Sequence, residues 1–177
     1  MRQIVLLRGI NLGSHNRIAM PALRERLEAA GLEEVRTYLQ SGNAVVSSDV
    51  ASDELERICQ EAIADGFGLE IEVVTRTRDE LAEVVARDPL GAVASNPKRY
   101  QVSFLSAEPE PGLIGRLEEI AADSERVVAI GREIYAWHPD GVARSKLWTR
   151  LAGKGLGVTA TARNWTTVTN LLEMADS

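Results

Sequence analysis

The sequence predicts an α+β protein in which two ferredoxin-like βαββαβ units follow one another in tandem and a C-terminal helix ends the chain. Three observations support this prediction. Apolar runs of strand length alternate with apolar patterns of helical spacing. Each half contains two strands joined by a short, glycine-containing turn. The second half repeats the element order of the first, without visible identity of residues between the halves.

In the first half, apolar runs and turn residues place strands at 4–7, 35–40, 44–47 and 69–75. Pro21 suits the first turn of a helix and Gly31 its end. Ser52 is predicted to cap the second helix. Residues 41–43 join the middle strands as a three-residue hairpin loop with a bulge.

A linker is predicted between the halves. Thr77 and Glu80 have the spacing of a capping box, so a further helix begins there and ends before Pro89. Residues 89–98 are rich in turn residues. The predicted domains are therefore an N-terminal ferredoxin-like half at 1–88, a linker at 89–98, and a C-terminal ferredoxin-like half with the terminal helix at 99–177.

In the second half, strands are predicted at 100–105, 127–130, 133–137 and 158–161, and helices around 113–121 and at 143–152. Gly131 and Arg132 form a two-residue hairpin loop with glycine in the first position. Residues 153–155, Gly-Lys-Gly, indicate a helix end and a turn rather than a phosphate loop. Asn164 is predicted to cap the last helix.

Composition excludes several classes of protein. The net charge of −6 and the pI near 5.1 argue against nucleic-acid binding, which needs clustered basic residues. No apolar run approaches the length of a membrane helix, and the apolar stretch at 4–7 is too short for a signal peptide. We therefore expect a cytoplasmic protein without membrane partners. The composition leaves its oligomeric state open.

Metal and cofactor sites are not expected. Cys59 is the single cysteine and lies on an apolar helix stripe, where it acts as a small hydrophobic residue. His15 and His138 are isolated from other metal ligands in sequence. Because His138 lies among turn residues, we interpret it as incidental, with no role in a functional site. The sequence predicts no metal and no cofactor.

Four motifs stand out, at 7–13 (LRGINLG), 37–43 (TYLQSGN), 161–168 (TARNWTTV) and, less strongly, 141–147 (GVARSKL). In content and order they resemble the bacterial domain-of-unknown-function family 1697. The resemblance implies a cytosolic bacterial protein built from ferredoxin-like units, and it carries no established activity. The family usually has paired glycines after the first motif, whereas Ser14 follows Gly13 here. A backbone that needs glycine at both positions is therefore not expected.

The first two motifs offer polar groups at strand ends. Arg8 and the glycine amides after it suit an anion, although Asn11 also suits a purely structural turn. In the second motif, Gln40, Ser41 and Asn43 could form hydrogen bonds with the polar edge of a ligand. Turn chemistry explains the asparagine equally well but does not explain the glutamine.

The other two motifs lie at predicted helix starts. Arg163 and Asn164 suit a carboxylate or phosphate at a helix N-terminus, with Trp165 beside them. The alternative is an ordinary asparagine cap with the tryptophan in the core. Ser145 and Lys146 could form a nucleophile–base pair, but adjacent helical residues do not face each other. A cap and a solvated lysine fit that pair better.

The function that the sequence favours is binding of a small anionic ligand, a phosphate or carboxylate compound, in a cleft between the two halves. The motifs contain no Asp, Glu, His or Cys, the usual groups of acid–base catalysis, which favours binding over catalysis. One alternative is a transferase or hydrolase that uses the same cleft with Ser41 or His15. Another is single-stranded nucleic-acid binding on an open sheet, which the low aromatic content disfavours.

Overall fold

The computed structural model describes residues 1–153 and 155–177, so Lys154 of the predicted Gly-Lys-Gly turn lies outside the described residues. The strands are β1 (Arg2–Leu7), β2 (Glu33–Tyr38), β3 (Asn43–Ser47), β4 (Val73–Thr77), β5 (Tyr100–Leu105), β6 (Arg126–Ile130), β7 (Glu133–Trp137) and β8 (Ala160–Asn164). The helices are α1 (Met20–Ala29), α2 (Ser52–Phe67), α3 (Arg78–Arg87), α4 (Leu113–Ile120), α5 (Lys146–Ala152) and α6 (Trp165–Asp176).

The chain divides into two compact units. Unit 1 consists of Met1–Ala82 and Leu171–Ser177, and unit 2 consists of Glu83–Asn170. The boundaries between the units fall within α3 and α6. Residues 83–88 of the predicted N-terminal half therefore lie in unit 2, and residues 171–177 of the predicted C-terminal half lie in unit 1.

Each unit contains a four-stranded antiparallel sheet. The strand order is β2-β3-β1-β4 in unit 1 and β6-β7-β5-β8 in unit 2. With the intervening helices, both units have the βαββαβ order, and α6 ends the chain. The predicted α+β fold of two tandem ferredoxin-like units with a C-terminal helix is confirmed.

The two sheets also share residue types at equivalent positions, which the sequence did not reveal. In each unit the last strand places an arginine opposite the third residue of the strand beside it, Arg76 in β4 and Arg163 in β8. Both arginines are buried. The next residue then caps the following helix, Thr77 for α3 and Asn164 for α6. The repeat therefore extends beyond element order.

Each unit has its own apolar core between one sheet face and two helices. In unit 1, Val5 and Leu7 of β1 pack with Leu23 and Leu27 of α1 and with Leu55 of α2. The corresponding cluster of unit 2 includes Leu105, Leu113, Leu117, Ile134, Leu147 and Leu151. Among the described residues, no helix combines the length and the apolar character that crossing a membrane requires.

Local capping predictions have mixed outcomes. The capping box is confirmed, because Thr77 N–H donates to Glu80 Oε1 over 3.0 Å and Glu80 N–H donates to Thr77 Oγ1 over 3.1 Å. The cap at Ser52 is wrong: Ala51 occupies the N-cap position, without a side-chain hydrogen bond. The helix predicted from residue 143 begins only at Lys146, because the backbone at Ser145 is extended and the Ser145 side chain caps the helix there.

Some predicted loop and strand bounds also need correction, including those of the last strand, which is Ala160–Asn164 rather than 158–161. The hairpin loop between β2 and β3 has four residues, 39–42, because Asn43 already pairs with Tyr38. β4 begins at Val73 rather than at residue 69. Ile71 is buried in the core without belonging to the strand, so the apolar run there indicated burial and not pairing.

Candidate functional site

The first two motifs meet at one end of the unit 1 sheet. We call residues 8–19, which follow β1, the first loop, and residues 39–42 the hairpin loop. Leu7 N–H donates to Gly42 O over 2.9 Å, which joins the end of β1 to the hairpin loop. The two motifs thus form one structural feature although about thirty residues separate them.

Asn11 holds the two loops together. Its Nδ2 donates to Gln40 O over 2.7 Å and to Ile18 O over 2.9 Å. Its Oδ1 accepts the Ile18 N–H over 2.8 Å. Since these contacts occupy both ends of the amide, Asn11 acts as a scaffold for the site rather than as a ligand contact.

Gly42 allows the hairpin loop to lie directly against the first motif. Its φ is +87°, and a Cβ at this position would lie 2.7 Å from Leu7 Cβ and 2.9 Å from Ile10 Cδ1. A side chain would therefore meet both a disfavoured backbone and a steric clash. This close approach explains why the second motif needs glycine at this position.

Within the hairpin loop, the buried and exposed polar residues have different roles. Asn43 is fully buried, and its Nδ2 donates to Tyr38 O and to Ser41 Oγ, each over 2.9 Å. Gln40 and Ser41 are exposed. The asparagine shapes the loop, while the side chains of the other two residues face solvent.

The first loop has an unusual backbone. φ is positive at Gly9, Asn11 and Gly13 and at neither residue between them. Such alternation turns successive N–H groups towards one side and can create an anion-binding concavity. Ser14 does not have positive φ, so the loop needs glycine only at the first of the two positions where the family usually has it.

Three basic residues belong to the first loop. Arg8 Nη1 lies 3.5 Å from Glu72 Oε2, at the long end of ion-pair distances. Arg17 Nη1 donates to Gly13 O over 2.8 Å, and His15 is exposed. The loop therefore has basic side chains beside a backbone in which positive φ recurs at alternate residues.

The third motif lies in unit 2, and its side chains are largely committed to the fold. Arg163 is buried, and burial lowers its pKa to about 10. Its Nη1 donates to Thr161 Oγ1 over 2.7 Å and to Ala162 O over 2.9 Å. Asn164 Oδ1 accepts the Thr167 N–H over 2.9 Å, which confirms the predicted cap.

Trp165 stacks on Tyr100 with ring centroids 4.7 Å apart and an interplanar angle of 17°. The tyrosine hydroxyl in turn donates to Asp88 Oδ1 over 3.0 Å. Burial raises the pKa of Tyr100 well above its usual value. These aromatic contacts fix the start of α6 within unit 2.

A buried polar cluster in unit 2 was missed by sequence reasoning. Ser145 caps α5 by accepting the Trp148 N–H over 3.0 Å, while its Oγ donates to Glu125 Oε2 over 2.6 Å. His138 Nδ1 lies 2.6 Å from the same carboxylate oxygen. His138 is fully buried, so the interpretation of this residue as incidental is wrong. Lys146, beside the serine, is exposed.

Hydrogen bonding also sets the charge state of the Glu125 carboxyl group. Burial alone would raise the pKa of Glu125, but hydrogen bonds from Ser145 Oγ, the Ala122 N–H and His138 outweigh it and hold the pKa below its usual value. The carboxylate is therefore ionised at neutral pH, when it accepts all three hydrogen bonds.

The sequence contained a signal for this cluster. The two-residue loop at 131–132 sets Ile130 opposite Glu133, and the same register, continued outward past the strand ends, sets Glu125 opposite His138. The hairpin prediction alone could therefore have placed Glu125 and His138 opposite each other.

The predicted site residues thus fall into two groups. Arg8, Asn11, Gln40, Ser41 and Asn43 belong to unit 1, whereas Ser145, Lys146, Arg163, Asn164 and Trp165 belong to unit 2. In the part of the chain that the structure describes, no three His, Cys, Asp or Glu side chains are grouped to hold a metal ion.

Comparisons with known proteins agree with this fold. The family model described as "Protein of unknown function (DUF1697)" matches residues 1–135. A solved structure of a conserved bacterial protein, SP0830 from Streptococcus pneumoniae, is similar over 98% of both chains, with a TM-score of 0.77 and 21% identity. At that identity the likeness shows the fold alone. Among curated proteins, none matches this chain.

Proposed function

The chain belongs to the DUF1697 family, whose description names no function, and we propose that unit 1 binds a small anionic ligand, a phosphate or carboxylate compound. The ligand lies on the surface formed by the first loop and the hairpin loop. The observation that carries this proposal is the hydrogen bond from Asn11 Nδ2 to Gln40 O, 2.7 Å long, which sets the two motif loops side by side.

The groups on this surface suit an anion. Arg8 supplies positive charge, and the exposed Gln40 and Ser41 supply neutral hydrogen-bond donors. The first loop supplies backbone N–H groups other than those of Asn11 and His15, which bond within the loop. The contact between Arg8 Nη1 and Glu72 Oε2 is long at 3.5 Å, and the Arg8 side chain is 16% exposed.

The same surface favours binding over catalysis. Ser41 Oγ accepts a hydrogen bond from Asn43 Nδ2, an amide that cannot take up a proton, so this contact does not activate the hydroxyl as a nucleophile. Neutral donors and guanidinium groups hold an anion without moving its protons.

Nucleic-acid binding on the sheet has less support. The sheet of unit 2 carries aromatic residues, but Tyr100, Phe104 and Tyr135 are each at most 2% exposed. Recognition of single-stranded RNA on such a sheet requires aromatic rings that bases can stack on. These three aromatic residues of unit 2 do not meet that requirement.

The test is ligand binding by the wild type and two arginine variants. We expect inorganic phosphate or citrate to raise the melting temperature, since a ligand at 100 times its Kd stabilises a fold by about 2.7 kcal/mol. Arg8→Ala should reduce the shift, because it removes the site in unit 1. Arg24→Ala, which removes an exposed arginine from α1 of the same unit, should keep it. Equal shifts in the wild type and Arg8→Ala would refute the proposal.

A further inference from the structure

Unit 2 contains a pocket whose lining shares no residue with the surface proposed for anion binding in unit 1. The pocket has a volume of about 700 Å³, within the usual range of small-molecule sites. Its polar lining consists of Ser124, Glu125, Asp140, Arg144, Ser145 and Lys146. Every lining residue belongs to unit 2.

The Glu125 carboxylate forms a fixed part of the pocket wall. Its oxygens accept hydrogen bonds from Ser145 Oγ and His138 Nδ1, each over 2.6 Å, and from the Ala122 N–H over 2.9 Å. These contacts join the segment before β6, the end of β7 and the start of α5. Because its charge is already compensated by these donors, Glu125 holds the wall in place and leaves ligand contacts to its neighbours.

The remaining charges of the lining have both signs. Arg144 and Lys146 are exposed, and neither side chain forms an ion pair with any of the described residues. Asp140 is exposed as well, and its Oδ2 accepts a hydrogen bond from Ser124 Oγ over 3.4 Å, near the limit for such a bond. One concavity therefore presents two cations and one carboxylate whose charges are not satisfied within the pocket.

We propose that this pocket binds a small zwitterion, with its ammonium group on Asp140 and its carboxylate or phosphate group on Arg144 and Lys146. Ile120 also lines the pocket and is 38% exposed, so it offers an apolar contact for the carbon atoms between the two charged groups. A ligand with only one charge would leave part of the lining uncompensated.

The experiment compares zwitterions with their singly charged parts. The ¹⁵N-labelled protein is titrated with O-phosphoethanolamine, β-alanine, inorganic phosphate and ethanolamine, and amide shifts at 122–125 and 140–146 report the pocket. At least one zwitterion should bind about fivefold more tightly than phosphate and ethanolamine, the gain that one extra exposed ion pair provides. The phosphate and carboxylate zwitterions decide between the two anionic groups.

Variants assign the two charges. Asp140→Asn keeps the side-chain shape and should remove the advantage of the zwitterion over phosphate, while Lys146→Ala should weaken the binding of both. Lys98→Ala, an exposed lysine of the same unit, should change neither, and the amide spectrum of each variant verifies its fold. Phosphate that binds as tightly as O-phosphoethanolamine, an unaltered advantage in Asp140→Asn, or no shifts at these amides with any probe would each overturn the proposal.

Discussion

Replacement of Gly42 by alanine tests whether the two motif loops depend on close contact. The added Cβ would lie 2.7 Å from Leu7 Cβ, which β1 holds in place, and 2.9 Å from Ile10 Cδ1, which can rotate away. The clash with Leu7 can be relieved only by moving backbone. The variant should therefore separate the hairpin loop from the first motif.

The expected loss of stability has two parts. Left-handed backbone at a residue with a Cβ costs about 1–2 kcal/mol. Overpacking of a filled site costs about 1–3 kcal/mol more. Gly42→Ala should therefore lower the free energy of unfolding by about 2–5 kcal/mol.

Gly68→Ala is the matched control. Gly68 lies in the same unit with φ +66°, but a Cβ there would have no neighbour within 4 Å, so only the backbone cost of about 1–2 kcal/mol applies. Urea unfolding followed by far-ultraviolet circular dichroism measures both variants. All tryptophans, Trp137, Trp148 and Trp165, belong to unit 2, so their fluorescence reports that unit separately. Equal losses in the two variants would refute the steric argument.

Three other predictions concern single side chains. Asn164→Ala should cost about 1 kcal/mol in urea unfolding because α6 loses its cap, whereas Asn164→Asp should keep it. Glu125→Gln should destabilise the fold at neutral pH, because the charged acceptor of Ser145 Oγ is lost. The lowered pKa of Glu125 means that its contribution is complete above about pH 4.3 and disappears as the pH falls through the folded-state pKa, so variant and wild type should converge in acid. Burial, together with the nearby Glu56, raises the pKa of Cys59 to about 12, so a thiol reagent should react in urea but not with the native protein. Rapid labelling of the native protein would contradict this.

Local chemistry accounts for the parts of the fold that the sequence predicted well. Gly131 in a two-residue loop fixed the register of β6 and β7, and the structure has that register. Thr77 and Glu80 satisfy each other's N–H groups within one turn of α3. These features depend on residues close in sequence, so they can be predicted from a single sequence.

Features that depend on tertiary contacts could not be predicted from the sequence. The bond from Asn11 to Gln40 spans 29 residues, and no local pattern indicates it. Ile71 resembles a strand residue because burial and pairing both select apolar side chains. The sequence suggests that Arg163 is an exposed cation, but the residue is buried in β8. The strand register decides which face of the sheet it occupies, and the sequence alone does not give that register.

The internal repeat provides a comparison within one chain that separates scaffold from site. Arg76 and Arg163 occupy equivalent strand positions in both units, so the fold itself accounts for them. The segments that follow β1 and β5 leave their strands in the same way: the N–H of the next residue donates to the carbonyl of Glu72 in unit 1 and of Thr159 in unit 2. Beyond that point they differ, because residues 8–17 are basic and glycine-rich whereas residues 106–112 carry glutamates and prolines. Since the shared scaffold does not require the basic loop, its charge and its backbone need another explanation, and binding of an anion supplies one.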